Sequence, residues 1–388
     1  MITGRRAAAA AGVLVLLALP FYADGFWLQS GLFAMAAVLG AIGLGLLTGT
    51  AGQLSLGHSF FLAVGAYGYV WFSGGASGSG PSKLTGLGLP PLLALVLAIA
   101  LAGAAGAAFS PIAGRLRGMY LGVATLALVF LGQHVMLNSR SVTGGFNGRP
   151  VEPMALFGFS FSDASPRGLA VLGVPFGGLE RLWYLGLALV ALGLFTARNL
   201  QQGRPGRALA ALRDSGTAAA VMGVPVARYR CAAFTVSCLY AGAGGALTAL
   251  AFKRVVPDHF GLALSIDFLA MIVIGGLGSV GGAAAAAVLV SLLPQVLTVY
   301  ADRLPLIAPA GSDAFGATPG EAARYLYGAA VVLILTLAPD GLAGLARRYR
   351  PRRAPAAAAA APAPVPVPVP VTVSRTATRP SPGKEPTP

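Results

Sequence analysis

Three histidines and two cysteines are the side chains of this sequence that could ligate a metal or act as nucleophiles. His58, His134 and His259 have no Cys or carboxylate beside them at metal-ligand spacing, which argues against a metal site. Cys231 and Cys238 lie on one predicted helix, about 10 Å apart along its axis, too far for a disulfide. No phosphate-binding G-x-x-x-x-G-K-[ST] motif occurs. We therefore predict no catalytic residue, no metal, no cofactor and no enzymatic activity.

The composition places the chain in a membrane. Hydrophobic residues make up 56% of the sequence, charged residues 10%, and the mean hydropathy is +0.76. These values predict an all-α polytopic membrane protein in contact with lipid. The net charge of +15 does not indicate a nucleic-acid partner, because the Lys and Arg residues cluster in loops beside apolar runs, as the positive-inside rule describes.

Apolar runs predict about ten membrane elements, of which eight to ten are transmembrane helices. A run that is too long for one span is split at the glycines of GGLGSVGG, Gly275 to Gly282, because this split leaves both termini in the cytoplasm. The predicted runs are Ala7–Ala23, Phe26–Leu47, Ser59–Gly74, Leu89–Ser110, Met119–Leu137, Arg181–Ala197, Cys231–Phe252, Ile266–Leu297 (the split run) and Tyr325–Leu337. The segment from Asn138 to Glu180 is predicted to be an outer capping loop.

The two ends of the chain differ from the middle. Residues 1–25 are predicted to hold an N-terminal transmembrane segment, and a cleaved signal peptide is the alternative, although no clear A-x-A cleavage site follows. Residues 347–388 begin with arginines and continue in Ala, Pro and Val, a composition that cannot form a packed core. We predict a disordered cytoplasmic tail there.

One long basic interruption, Arg204 to Arg230, separates two apolar runs. Helical spacing of Ala208, Leu209 and Leu212 predicts one short helix, and a second, Thr217 to Met222, is followed by Gly223 and then Pro225. Two short amphipathic helices on the inner face would form a rigid knob that a soluble motor protein could push. The alternative is an ordinary basic loop on the inner side.

Glycines also interrupt the apolar runs. Thr48 to His58 has the polarity of a loop but no charged residue, and it resembles a broken or re-entrant element more than a surface loop, with a tight inner turn as the alternative. Irregular backbone at membrane depth is tolerated where protein or a water-filled cavity surrounds it. We therefore predict that two interruptions line a translocation path, with these residues: Thr48, Gly49, Gly52, Gln53, Ser55, Gly57, His58, Gly275, Gly276, Gly278 and Ser279.

Ionisable groups are almost missing from the predicted spans. Proton- or sodium-coupled carriers use Asp, Glu or His relays inside the membrane, and the candidates here are His58 and His134, near segment ends, whereas Asp267 is assigned to the outer side. His58 is better explained as a packed residue. The pattern disfavours an ion-coupled carrier. Energy for transport would then enter through an inner loop from a partner protein.

Several motifs in order resemble one family over about residues 26 to 346. They are similar to the integral-membrane permeases of the high-affinity branched-chain amino acid ABC importers, of the LivM type. The motifs are GLLTGTAGQLSLGHSFFLAVGAY at 45–67, RLRGMYLGVATLAL at 115–128, TGGFNG at 143–148, GRALAALRDSGTAAAVMGVPVARYR at 206–230, SIDFLAMIVIGGLGSVGG at 265–282 and PDGLAGL at 339–345.

This resemblance implies an importer with two permeases, here expected to form a heterodimer, two ABC ATPase subunits and an extracytoplasmic solute-binding protein. It implies that the loop is the coupling element that sits in a groove of the ATPase, with Thr217 in place of the Glu of the family's E-A-A-x-x-x-G pattern. Replacement of Gly223 or Arg213 is then expected to abolish transport without unfolding. The coupling residues are expected to be Arg207, Leu209, Leu212, Arg213, Asp214, Thr217, Ala218, Ala219, Met222 and Gly223.

The expected substrate is a small neutral or zwitterionic solute. An uncharged path of glycine backbone, Thr48, Gln53 and Ser55 suits leucine, isoleucine and valine, and it suits urea or short amides equally well. Alternatives outside this class are an ion-coupled carrier or channel that works without an ATPase, and a membrane scaffold without transport. The expected location is the plasma membrane, with several passes and both termini in the cytoplasm.

Overall fold

The structure is a computed structural model that describes residues 11–76, 84–116, 118–156, 159–160, 169–171, 174–300, 318–337 and 341–348. The first part of the predicted N-terminal span and the predicted tail from residue 349 onward lie outside these residues, whereas Arg347 and Arg348, the first two residues of that tail, belong to a helix. The helices are α1 Ala11–Phe21, α2 Gly25–Gly45, α3 His58–Ser73, α4 Pro91–Arg115, α5 Met119–Asn138, α6 Arg140–Thr143, α7 Gly178–Gln202, α8 Arg204–Asp214, α9 Gly216–Val221, α10 Val226–Phe252, α11 Leu262–Gly275, α12 Val280–Val299, α13 Pro319–Leu337 and α14 Gly341–Arg348.

Short strands lie between the helices. β1 Arg149–Pro150 pairs antiparallel with β6 Arg254–Val255, and two hairpins are formed by β2 Ala155–Leu156 with β3 Phe159–Ser160 and by β4 Leu169–Val171 with β5 Val174–Phe176. Where it is described, the predicted capping loop therefore contains helix α6, a 3₁₀ turn and strands, before α7 begins at Gly178.

Helices long and apolar enough to cross a bilayer confirm the predicted all-α membrane class. Within the described ranges, six qualify by length and composition: Gly25–Thr50, Pro91–Arg115, Met119–Asn138, Gly178–Gln202, Val226–Phe252 and Val280–Val299. Helices α1 and α11 are shorter apolar helices. The count of ten membrane elements stays a prediction. The split of the long apolar run is seen directly, since α11 ends at Gly275 and α12 begins at Val280.

Helices α2 and α10 form the centre of the bundle. In the most apolar 18-residue stretch of each of these two helices, 78% of the residues are buried inside the protein, against 28% in α7. Helix α10 packs against α2, α3 and α4, and small residues allow this arrangement because they let helix backbones approach closely. A Cβ atom placed on Gly65 of α3 would lie 2.4 Å from the carbonyl oxygen of Gly242 on α10. The two helices are therefore in backbone contact.

Gly245→Ala is expected to destabilise the protein through this contact. The added Cβ would lie 1.9 Å from the carbonyl oxygen of Leu62, so backbone must shift, at a cost of about 1–3 kcal/mol. Thermal unfolding in detergent should show a lower midpoint for Gly245→Ala. Gly328→Ala is the matched control, because nothing lies within 4 Å of its added Cβ. Equal midpoints for the two variants would contradict the close packing of α3 and α10.

The bundle has two ends, which we name by the elements found there. Helix α10 has 27 residues and is therefore about 40 Å long, so its first and last turns lie at opposite ends of the bundle. The loop end carries α8 and α9, which precede α10. The far end carries the β1–β6 pair, which follows it. These two names are used below.

Arg149 holds the far end together. It is 2% exposed, and its guanidinium donates hydrogen bonds to the carbonyl oxygens of Thr85 and Val142. Desolvation lowers the pKa of Arg149 from its ordinary value, and the charge of Glu152 opposes this shift. An arginine pKa stays far above neutrality, so the buried group is a cation that satisfies backbone carbonyls.

Candidate functional site

The first irregular segment begins where α2 continues into a single π turn, Leu46–Thr50. The chain then runs without regular structure to α3. The amide of Gln53 donates to the carbonyl oxygen of Leu47 at 3.2 Å, and the Thr48 hydroxyl donates to the carbonyl oxygen of Gln53 at 3.1 Å. Gly52 takes a φ of +68°, which favours glycine. The predicted break between the two apolar runs is confirmed, and local hydrogen bonds define its shape.

The second irregular segment joins α11 to α12. Gly276 and Gly278 have φ values of +95° and +82°, so both adopt a conformation that other residues rarely take. The Ser279 hydroxyl accepts a hydrogen bond from the amide of Gly282 at 3.1 Å and caps the start of α12. One pair of helical glycines lets the two flanking helices touch, because a Cβ on Gly275 would lie 2.5 Å from the carbonyl carbon of Gly282.

The two irregular segments meet at one point, which we call the glycine junction: Gly49 together with residues 276–279. A Cβ on Gly49 would lie 2.1 Å from the backbone nitrogen of Gly278. The Gln201 side chain, at the end of α7, donates to the Thr50 hydroxyl and to the carbonyl oxygen of Gly278, each at 3.2 Å. Sequence reasoning did not identify Gln201, because nothing in a polar amide near a helix end marks it as a bridge.

Arg213 connects helix α8 to this junction. Its Nη1 donates to the carbonyl oxygen of Gly49 at 2.9 Å. A Cβ on Gly52 would lie 2.9 Å from Arg213 Cγ, so the stem of the side chain also packs against the irregular segment. The arginine makes an exposed ion pair with Asp214, at 3.4 Å. One side chain of the loop therefore contacts the break in the membrane helices directly.

The loop has a buried face and an exposed tip. Leu209 and Leu212 of α8 and Ala219 of α9 are buried, and Ser215 caps α9 by accepting from the amide of Ala218 at 3.2 Å. Gly223 follows α9 with a φ of +81°, as its position after the predicted helix indicated. Two apolar side chains at the tip are almost fully exposed, Val221 at 90% and Met222 at 81%. The predicted pair of short helices is confirmed.

Comparison with known proteins gives the family. The chain matches the family described as "Branched-chain amino acid transport system / permease component" over residues 27–335, well over half of its length. It belongs to this permease family. It is 29% identical over 347 residues to the high-affinity branched-chain amino acid transport system permease protein LivM of Salmonella typhimurium and 28% identical over 344 residues to LivM of Escherichia coli. Each match covers 86% of this chain and 74% of the relative. No solved structure matches.

In this permease, the residues predicted for a translocation path divide into two groups. Thr48, Gly49 and Gly52 lie with Gly275, Gly276, Gly278 and Ser279 in or beside the glycine junction. The other four, Gln53, Ser55, Gly57 and His58, lie deeper in the bundle. There Gly57 contacts the backbone of Thr125 on α5, and the amide of Gly57 donates to the Ser55 hydroxyl at 3.3 Å. The structure therefore brings the two interruptions together at their glycines.

Two of the deeper residues carry unpaired polar atoms. Gln53 is 5% exposed, and neither amide atom of its side chain has a hydrogen-bond partner among the described residues of the permease. His58 is 2% exposed, packs edge-to-face against Phe268 at 5.2 Å between ring centroids, and has an unpaired Nε2. Buried polar groups are nearly always paired, so these atoms are candidates for contact with a bound water or solute.

Proposed function

We propose that this chain is the membrane-spanning permease subunit of an ATP-driven ABC importer of branched-chain amino acids. In this assembly it pairs with a second permease, is driven by two ATPase subunits and receives solute from an extracytoplasmic binding protein. The family match and the two relatives, named for high-affinity branched-chain amino acid transport, support the choice of substrate. The chain itself supplies the path and the contact with the ATPase.

The hydrogen bond from Arg213 to Gly49 carries this proposal. A permease driven by a separate ATPase needs a rigid connection between the surface that the ATPase pushes and the segment of the permease that opens. Helix α8 provides that surface, and Arg213 joins it to the glycine junction at 2.9 Å. Glycines with positive φ at the junction allow backbone changes that other residues resist, so a shift of α8 reaches two membrane helices at once.

The predicted coupling residues take two roles in this proposal. Leu209, Leu212 and Ala219 are buried and attach the loop to the bundle. The residues with exposed positions form the surface for the ATPase: Arg207, Arg213, Asp214, Thr217, Ala218, Val221, Met222 and Gly223. Val221 and Met222 are apolar and exposed at the tip, as expected of a side chain pair that inserts into a groove of a partner.

The loop end faces the cytoplasm of the cell in this proposal. Arg198, Arg204, Arg207 and Arg213 lie within a short stretch of the loop end in which Asp214 is the acidic residue, and short basic loops remain on the inner side of the plasma membrane. Both termini are then cytoplasmic, and the far end meets the binding protein.

The deciding experiment is solute uptake into proteoliposomes that hold this chain with its partner permease, ATPases and binding protein. We expect uptake of labelled leucine with ATP and no uptake with a non-hydrolysable ATP analogue. Urea and a sugar are measured in parallel. If urea is taken up and leucine is not, the substrate is urea and not a branched-chain amino acid. Leucine uptake by this chain alone along a proton or sodium gradient would overturn the ATP-driven mechanism.

A further inference from the structure

A cavity of about 290 Å³ opens among α2, α10, α11, α12 and α13, and the glycine junction does not line it. It lies near the far end, because Phe252 at the end of α10 and His259 in the segment after it are part of its wall. Its volume is near the lower limit of the roughly 300–1,000 Å³ that small-molecule sites occupy, so it suits a single small solute.

Two opposite charges line this cavity. Asp267 lies on α11 and Arg324 on α13. The Tyr327 hydroxyl donates to Oδ1 of Asp267, which leaves the second carboxylate oxygen to accept from another group. Among the described residues no ion pair within 4.0 Å joins the Asp267 carboxylate to the Arg324 guanidinium. Arg324 acts electrostatically on Asp267, and it acts on Tyr327 both electrostatically and through a side-chain hydrogen bond, which leaves the other N–H groups of the guanidinium for a ligand. The carboxylate and the guanidinium therefore each retain capacity for an opposite charge.

The remaining wall is mostly apolar. Phe33, Leu264, Met271 and Val290 supply hydrophobic surface around the two charges. His259 adds no third charge at neutral pH, because desolvation among the neighbouring rings of Phe252 and Phe260 lowers its pKa from the ordinary value. The cavity therefore combines one cation, one anion and an apolar surface.

We infer that this cavity is an entry site for a zwitterionic α-amino acid with an apolar side chain, with the ammonium on Asp267, the carboxylate on Arg324 and the side chain on the apolar wall. This inference rests on the proposed import function and extends it, since urea or a short amide has no use for a separated pair of charges. It assigns discrimination between substrates to the permease in addition to its binding protein.

Ligand binding to the full purified chain in detergent tests the site without the rest of the importer. Saturation-transfer NMR is recorded with leucine, with 4-methylpentanoate, which lacks the ammonium, and with isoamylamine, which lacks the carboxylate. We expect leucine to bind more tightly than either analogue. Asp267→Asn and Arg324→Gln should each weaken leucine binding by about ten- to a hundredfold, as expected for loss of a charge-assisted hydrogen bond.

Three control variants separate a binding site from a structural contact. Asp258→Asn and Arg254→Gln remove one charge of each sign from the same end of the bundle without touching the cavity wall, and both should bind leucine as the parent does. Tyr327→Phe removes the hydrogen bond between α11 and α13 but leaves both charges. It should lower the melting temperature, and, because Tyr327 itself lines the cavity, it should weaken leucine binding somewhat but less than Asp267→Asn does.

Results of three kinds would overturn the entry site: equal binding of leucine and its singly charged analogues, unchanged leucine binding in Asp267→Asn and Arg324→Gln, or weakening in these variants that only follows their melting temperatures. Failure of the import function is a separate result. In that case the parent importer shows no ATP-dependent leucine uptake, whatever the purified chain binds.

Discussion

Arg213→Ala is expected to reduce ATP-dependent leucine uptake by about ten- to a hundredfold while the protein stays folded. The variant removes a charge-assisted hydrogen bond to the carbonyl oxygen of Gly49, and such bonds contribute about 1.5–3 kcal/mol. The side chain is 47% exposed, so its loss leaves no cavity in the core. ATP hydrolysis by the reconstituted importer should continue, because the ATPases are intact and only their connection to the path is lost. Uptake and phosphate release are measured on the same vesicles.

Two variants serve as controls for the loss of charge. Asp214→Asn breaks the exposed ion pair with Arg213 but leaves its bond to Gly49, and exposed pairs contribute only about 0–1 kcal/mol. Arg207→Ala removes another arginine of helix α8. The Arg207 guanidinium donates a hydrogen bond to the carbonyl oxygen of Gln202 and not to the glycine junction. Asp214 and Arg207 both lie on the surface proposed for the ATPase, so each variant should lose some uptake, but clearly less than Arg213→Ala. If Arg207→Ala and Arg213→Ala reduce uptake equally, the charge of the loop matters and the bond to Gly49 does not.

Local patterns in the sequence were sufficient to predict most elements near the site. Gly223 after an amphipathic stretch and Pro225 beyond it predict where α9 ends and α10 begins, and the glycines after α11 predict its separation from α12. These signals are local because capping and positive φ act within a few residues. The same property explains why the π turn after α2 was predicted as a break but not in its shape.

Contacts between distant segments could not be predicted in the same way. Arg213 and Gly49 are 164 positions apart, and Tyr327 and Asp267 are 60 apart. No periodicity joins such pairs, because their contact depends on the packing of the whole bundle. Helical spacing showed that Leu209 and Leu212 share a face but not what covers it, and the structure buries both against this chain. The sequence assigned Asp267 to the outer side, which stays a prediction, but it gave no sign of the cavity that Asp267 lines.

Gly49→Ala is expected to abolish uptake, because the added methyl group has no room in the glycine junction. Its Cβ would lie 2.1 Å from the backbone nitrogen and 2.7 Å from the Cα of Gly278, and backbone cannot move aside as a flexible side chain can. The two irregular segments must then separate, at a cost of about 1–3 kcal/mol. The bonds from Gln201 to Thr50 and to Gly278 depend on the same spacing. The measurement is leucine uptake in proteoliposomes together with the melting temperature of the variant.

Misfolding would also abolish uptake, so two further variants isolate the junction. Gly281→Ala adds the same methyl group a few residues away, where nothing lies within 4 Å, and it should transport normally. Gln201→Leu removes the bridge between the two segments without adding a clash, so it should impair uptake while the helices still pack. If Gln201→Leu transports like the parent and Gly49→Ala only lowers the melting temperature, the junction is a structural contact. If Gln201→Leu loses uptake at a parental melting temperature and Gly49→Ala loses uptake while it is still folded at the assay temperature, the joined glycines transmit the motion of α8 to the path.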